Sequence, residues 1–187
     1  MKHLLILFLL VTTVSRAQLS SDPELAINTE SFTVIFNAEG TPLENFDGAI
    51  YAHTGITIDG QNWQNVIGNW GQNDVQPEFN KITDNTYHLV INPSAYEFYG
   101  LSTDENIDGI NMVVRSADTS IQTEDLFLEL YTEGFNINIS SPSDEALLTK
   151  NQEFTITTIA SIESKLEIYI DDTLLTSQEN TQELEVN

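Results

Sequence analysis

The sequence predicts an all-β protein, and three observations carry that expectation. Short runs of alternating apolar and polar residues recur along the chain, separated by Gly, Pro, Asn, Asp and Ser. Outside the N-terminal segment no window of about a dozen residues shows the i, i+3, i+4, i+7 spacing of an amphipathic helix. The composition, 40% apolar and 9% aromatic over 187 residues, is that of a chain that folds.

Read in order, residues 1–17 have the form of a secretory signal segment. Lys2 and His3 precede the apolar run Leu4 to Val11, and Ser15 and Ala17 occupy the small-residue positions −3 and −1 of a cleavage site after Ala17. The run is shorter than the roughly 20 residues a membrane-spanning helix needs, so export is expected and membrane insertion is not; a buried N-terminal helix is the alternative. Residues 18–30 are polar, contain Asp22-Pro23 and lack periodicity, which reads as a linker or loosely held arm.

Strands are expected at Phe32 to Phe36, Ala49 to Ala52, Ile56 to Ile58, Trp63 to Ile67, Tyr87 to Ile91, Ile110 to Val114 and Leu126 to Tyr131. Tyr87, Leu89 and Ile91 share one face of their strand, as do Ile110, Met112 and Val114, the pattern of half-buried antiparallel strands. Residues 31–134 therefore suit one immunoglobulin-like β-sandwich. From Phe135 the alternation resumes through Ile139, turns at Ser140 to Asp144, and continues in Phe154 to Ile159, Leu166 to Ile170 and Leu174 to Leu175, with a turn at Asp171-Asp172. Residues 135–187 hold about half the strands of such a fold. The expectation is a partial second β-sandwich, and a chain that is a fragment of a longer protein.

Charge and cysteine content exclude several functions. Six basic residues face 29 acidic ones, a formal charge of −23. That surplus repels phosphate backbones and anionic lipid headgroups, so no nucleic acid or membrane-surface partner is expected. With no cysteine the chain has no disulfide, thiolate metal site, cysteine nucleophile or N-terminal lipid anchor, so the exported product is not a lipoprotein. No catalytic motif stands out: there is no nucleophile elbow, zinc-protease helix motif or phosphate-binding glycine loop, and abundant carboxylates alone do not define an acid–base pair.

The most informative stretch runs from Tyr51 to Asn73. It contains both tryptophans, Trp63 and Trp70, with the amides of Gln61, Asn62, Gln64, Asn65, Asn69, Gln72 and Asn73. Sugars suit such a surface, because a pyranose offers an apolar C–H face to an aromatic ring and a rim of hydroxyls to amides. Tyr51, Trp63, Trp70, Gln72 and Asn73 are the candidate carbohydrate-binding residues. Equally, a small sandwich commonly centres on a Trp. In one regular strand the spacing of seven would send the two rings to opposite faces, one core and one exposed, although Gly68 and Gly71 argue against a strand that long.

Tyr96, Phe98 and Tyr99 either pack a loop onto the sandwich or extend the glycan face. Asp104 to Gly109 matches the opening of an EF-hand calcium loop, but the twelfth position, where a bidentate Glu is required, is Arg115. An acidic turn is the expected reading, with a non-EF-hand calcium site the alternative; no other cofactor and no metal ligands are assigned. His53 and His88 lack a neighbouring His, and His88 falls on the face of its strand opposite Tyr87 and Leu89.

Five segments in series carry a resemblance: "AIYAHTG" (49–55), "NWQNVIGNWGQND" (62–74), "YHLVINPSAYEFYG" (87–100), "INMVVRSAD" (110–118) and "DLFLELY" (125–131). Together they resemble the N-terminal, starch-binding-like β-sandwich module of secreted Bacteroidetes α-amylase-family (glycoside hydrolase family 13) proteins. The likeness is dense over about 105 residues and looser over the next 50 or so, which resemble the immunoglobulin-like segment that follows in that family. Two departures stand out, a short loop after "FNAEG" (36–40) and Thr119 where the pattern leads to glycine. The resemblance implies a secreted, non-catalytic accessory region with an α-glucan polysaccharide as partner and a catalytic domain further along a parent enzyme. It does not specify the glycan-binding residues. A surface adhesion or protein-interaction module of stacked sandwiches is the rival reading, and a small self-contained hydrolase a third.

Overall fold

The computed structural model describes residues 18–142 and 153–187. The expected signal segment, residues 1–17, and the last two residues of the turn expected after Ile139, Ser143 and Asp144, lie outside the described residues. The fold is all-β, built from antiparallel sheets, as the alternation predicts.

Two four-stranded sheets form the first unit. One comprises β1 (Leu19–Asp22), β2 (Phe32–Asn37), β5 (Asn80–Lys81) and β6 (Thr86–Ile91) in the order β1-β2-β6-β5. The other comprises β3 (Ile50–Ile58), β4 (Gln61–Gln64), β7 (Ile107–Ser116) and β8 (Leu126–Glu129) in the order β4-β3-β7-β8. The alternation read from the sequence sets the packing: Val34, Phe36, Tyr87, Leu89 and Ile91 from the first sheet share one apolar core with Ile50, Ala52, Ile56, Ile110, Met112 and Val114 from the second. Phe36 lies at its centre, its ring 6.0 Å from that of Phe79 and 6.1 Å from that of Tyr87.

Several boundaries differ from the expectation, each for a physical reason. Residues 18–30 are no loose arm: Leu19 to Asp22 pair with Phe36 to Thr33 as an edge strand, and Leu25, Ala26 and Ile27 are buried. Pairing with β2 holds a half-polar stretch that has no periodicity of its own. The runs at 49–52 and 56–58 join into the single strand β3. The strand expected over Trp63 to Ile67 stops at Gln64, because Trp63 and Asn65 take left-handed φ values of 59° and 47°. Between β3 and β4, Asp59 and Gly60 make a two-residue hairpin with φ of 49° and 73°, where glycine's freedom is needed.

A four-residue helix, α1 (Ala95–Phe98), is started by Ser94, whose hydroxyl accepts from the Glu97 N–H at 3.2 Å. It buries Tyr96 and Tyr99, whose hydroxyls reach Glu105 O (2.9 Å) and Thr54 Oγ1 (2.7 Å). The Tyr96, Phe98 and Tyr99 group therefore packs the loop onto the core.

The second unit is a three-stranded sheet of β9 (Ile137–Ser141), β10 (Ile156–Ile170) and β11 (Thr173–Val186) in the order β11-β10-β9. Two expected strands merge in β10, because register shifts between Ile159 and Leu166 interrupt the apolar alternation without ending the ladder. The turn at Asp171-Asp172 is as expected, with φ of 47° and 63°.

Candidate functional site

With Ile50, Ala52 and Ile56 in the core, the intervening Tyr51, His53 and Gly55 of β3 face outward. Opposite them on β7, Arg115 pairs with Tyr51, Val113 with His53 and Asn111 with Gly55. This outer face of the β4-β3-β7-β8 sheet carries a group of aromatic rings, and the chain between β4 and β5 folds back across it.

Gly55 permits that fold-back, since a Cβ there would lie 2.7 Å from Gln64 O and 3.0 Å from Val66 Cγ2. Returning, the chain hydrogen-bonds to the edge of β3 at three points: Ile67 N to Thr54 O (2.9 Å), Ala52 N to Pro77 O (2.8 Å) and Phe79 N to Ile50 O (3.0 Å). Between these points residues 68–76 make a tight excursion that presents Trp70, with Gly68 and Gly71 at φ of 66° and 81°.

The buried Asn111 fixes the first ring. Its Oδ1 accepts from Trp63 N (2.9 Å) and Thr57 Oγ1 (3.0 Å), and the Trp63 indole then stacks on the His53 imidazole, centroids 5.5 Å apart and planes at 25°. The Trp70 indole meets the same imidazole edge-on at 5.1 Å and 77°. Both tryptophans thus flank one histidine on one side of the sheet, rather than lying on opposite faces. Trp70 is 44% exposed and Trp63 half-buried.

Arg115 lies beneath them, fully buried. Its guanidinium carbon sits 5.3 Å from the Tyr51 ring centroid and 5.8 Å from that of Trp70, an arrangement in which the cation meets two π faces. Nε donates to Gln76 Oε1 at 2.9 Å, one terminal nitrogen donates to the same oxygen, and the other donates to Ser116 O at 3.0 Å. None of the ion pairs among the described residues includes Arg115. Burial pulls its pKa below the usual arginine value, with an opposing contribution from Tyr51. Tyr51 donates its hydroxyl to Glu78 Oε2 at 3.1 Å, and burial followed by that hydrogen bond raises its pKa.

Gln76, also buried, joins the two halves. Its Nε2 lies 2.6 Å from His53 Nδ1 and donates to Asn69 O at 3.1 Å. Burial, then the Arg115 charge, lowers the His53 pKa from 6.5 against a smaller opposing pull from Asp125, so the imidazole is neutral at pH 7.

Gln72 and Asn73 shape the Trp70 excursion. Gln72 Oε1 accepts from Asn69 N at 2.7 Å, and Asn73 Nδ2 donates to Ala117 O at 2.9 Å, tying the excursion to the turn after β7. Asn73 Oδ1 is buried without a hydrogen-bond partner. That turn is held by Asp118, whose Oδ1 accepts from Ser116 Oγ (2.7 Å), Ser120 Oγ (2.7 Å) and Ser120 N (3.0 Å), lowering the carboxyl pKa to about 2. At the far end of the same sheet face Phe127, 52% exposed, lies across Gly109, where a Cβ would come within 2.6 Å of Leu128 O.

Of the residues expected from the sequence, the structure brings Tyr51, Trp63 and Trp70 together and sets Gln72 and Asn73 as supports of the excursion. His53, Gln76, Arg115, Asn111 and Phe127 were not among them. For Arg115 and Asn111 a signal existed, since they alternate with the core-facing Ile110, Met112 and Val114. Elsewhere, Asp108 in the acidic turn is engaged, accepting from Gly60 N at 2.7 Å and Asn106 Nδ2 at 3.0 Å. Among the described residues no group of three or more His, Asp or Glu side chains is placed to hold a metal ion. Chemically, the site offers flat apolar faces beside neutral hydrogen-bonding groups. No protein-family model matches the chain, and no curated protein matches it.

Proposed function

We propose that this chain is the non-catalytic N-terminal accessory region of a secreted α-glucan-degrading enzyme of the α-amylase family, and that its first sandwich binds starch or a related polysaccharide. The observation that supports this reading is the pair of indoles flanking His53, with Trp70 44% exposed on a frame tied down by buried polar residues. A ring held in place loses little entropy when a sugar stacks on it. The series of segments resembling the amylase-family module points to the same ligand. In this role the module holds an enzyme on its polymer by raising the local concentration of the second binding event, and breaks no bond itself.

A protein-interaction module is the second reading. It is favoured by the exposed Ile137, Ile139, Ile162, Leu174 and Leu175 of the three-stranded sheet. Affinity electrophoresis of the full chain, in gels with and without soluble starch, separates the two. Glucan binding predicts retardation by starch that the Trp70→Ala variant loses; unchanged mobility of the folded protein removes the glucan reading.

A further inference from the structure

The arrangement around Gln76 fixes more than the position of the rings. Arginine carries only N–H donors, so the Gln76 atom facing Arg115 Nε is its carbonyl oxygen. The Asn69 carbonyl can only accept, so the Gln76 atom facing it is the amide nitrogen. Both ends therefore give the Gln76 amide the same orientation, and its nitrogen faces His53 Nδ1 at 2.6 Å. Nδ1 must then accept, which leaves the imidazole proton on Nε2. No side-chain hydrogen bond among the described residues engages that N–H, and its ring is the one both indoles pack against.

We propose that His53 is a ligand-binding residue of the platform, its Nε2–H donating to an acceptor oxygen of an uncharged sugar ring stacked on Trp70, with Gln76 and Arg115 as positioning residues that fix the tautomer. The ligand part of this proposal rests on the glucan reading; the tautomer does not. Arg115 on β7 and Asp125 ahead of β8 are the charged groups acting on the imidazole, and burial together with Arg115 outweighs Asp125. The neutral Nε2–H form thus persists below the pH at which an ordinary histidine protonates.

The test is nitrogen-15 NMR of the imidazoles in the full chain, with maltoheptaose as probe. Wild type should show His53 as the Nε2–H tautomer at pH 7, with Nε2 and the Trp70 indole resonances both moving on titration. In the Gln76→Glu variant a carboxylate, which only accepts, faces Nδ1. The carboxylate also raises the imidazole pKa, so above that pKa the proton should sit on Nδ1 and affinity should fall about tenfold, the upper range for one hydrogen bond. It should then recover on acidification as the imidazolium regains an Nε2 proton, a recovery that a merely structural role would not give. An Nδ1–H or doubly protonated His53 in wild type at pH 7 overturns the tautomer. Movement at Trp70 without movement at Nε2 overturns the donor role and leaves the platform standing. No movement at either ring overturns the donor role and the glucan reading together, while the tautomer is still decided by the ligand-free spectrum.

Discussion

The sandwich and the three-stranded sheet are written in the same alternating code and yet differ in what that code encloses. In the sandwich two sheets close on each other, and strands β2, β3, β6 and β7 each place an apolar face in one core. In the three-stranded sheet the buried cluster is only Ala160, Leu166, Ile168 and Leu184 with Ile156 and Val186 partly covered, Ile159 and Thr158 being buried outside it, while Ile137, Ile139, Ile162, Leu174 and Leu175 are exposed. Alternation specifies which residues share a face; a second layer must arrive before that face becomes a core. The contrast extends to the outer surfaces. The sandwich uses one to hold aromatic rings on a buried polar frame, whereas an exposed ion pair, Lys165 to Glu167 at 2.7 Å, decorates the sheet, the kind of contact that contributes little to stability.

The comparison is broken most readily by truncating one apolar side chain in each region. Phe36→Ala removes a ring at the centre of the sandwich and should cost about 3–5 kcal/mol, whereas Ile162→Ala, at a position 53% exposed, should cost about 0.5 kcal/mol or less. Urea unfolding of the full chain measures both, and comparable losses would mean that the sheet is covered as thoroughly as the sandwich.

A smaller effect sharpens the contrast within the sandwich itself. Thr119 has φ 61°, a left-handed conformation that a β-branched residue adopts only under strain. Its methyl lies beside Gly71, where a Cβ would meet Thr119 Cγ2 at 3.5 Å. Thr119→Gly should relieve that strain against the entropy glycine adds to the unfolded chain. The net gain should be about 0.5–1 kcal/mol, read as a raised urea midpoint with unchanged slope. A loss of stability would show that the contact with Gly71 outweighs the strain.

How much of this was legible in the sequence follows from the range of the interactions involved. The core faces of β2, β6 and β7 could be read because alternation is local: each apolar residue announces its face through neighbours two positions away. The edge strand β1 could not, because Leu19 to Asp22 is held by pairing with β2 rather than by any pattern of its own. Position 119 carries a left-handed backbone that its β-branched side chain gives no sign of. At the site, Tyr51, Trp63 and Trp70 could be picked out by residue type alone. His53 and Gln76 could not, since their contact joins residues 23 apart through the fold-back across β3. Alternation along β7 puts Arg115 on the outer face, but its place in the site could not be read, because its partners, Gln76, Tyr51 and Trp70, are assembled by that same fold-back.

The chain has two tryptophans and both flank His53, so tryptophan fluorescence, excited selectively over the tyrosines, reports on this site alone. Titration of the full chain with maltoheptaose, in wild type and in the Trp70→Ala variant, decides whether Trp70 is the ring on which a glucan stacks. Wild type should show a saturable change in emission and the variant none, with the unfolding free energies of the two in urea within about 1 kcal/mol of each other, since Trp70 is a surface ring. An unresponsive wild type that is folded, or a Trp70→Ala variant that still binds, would contradict glucan stacking on Trp70.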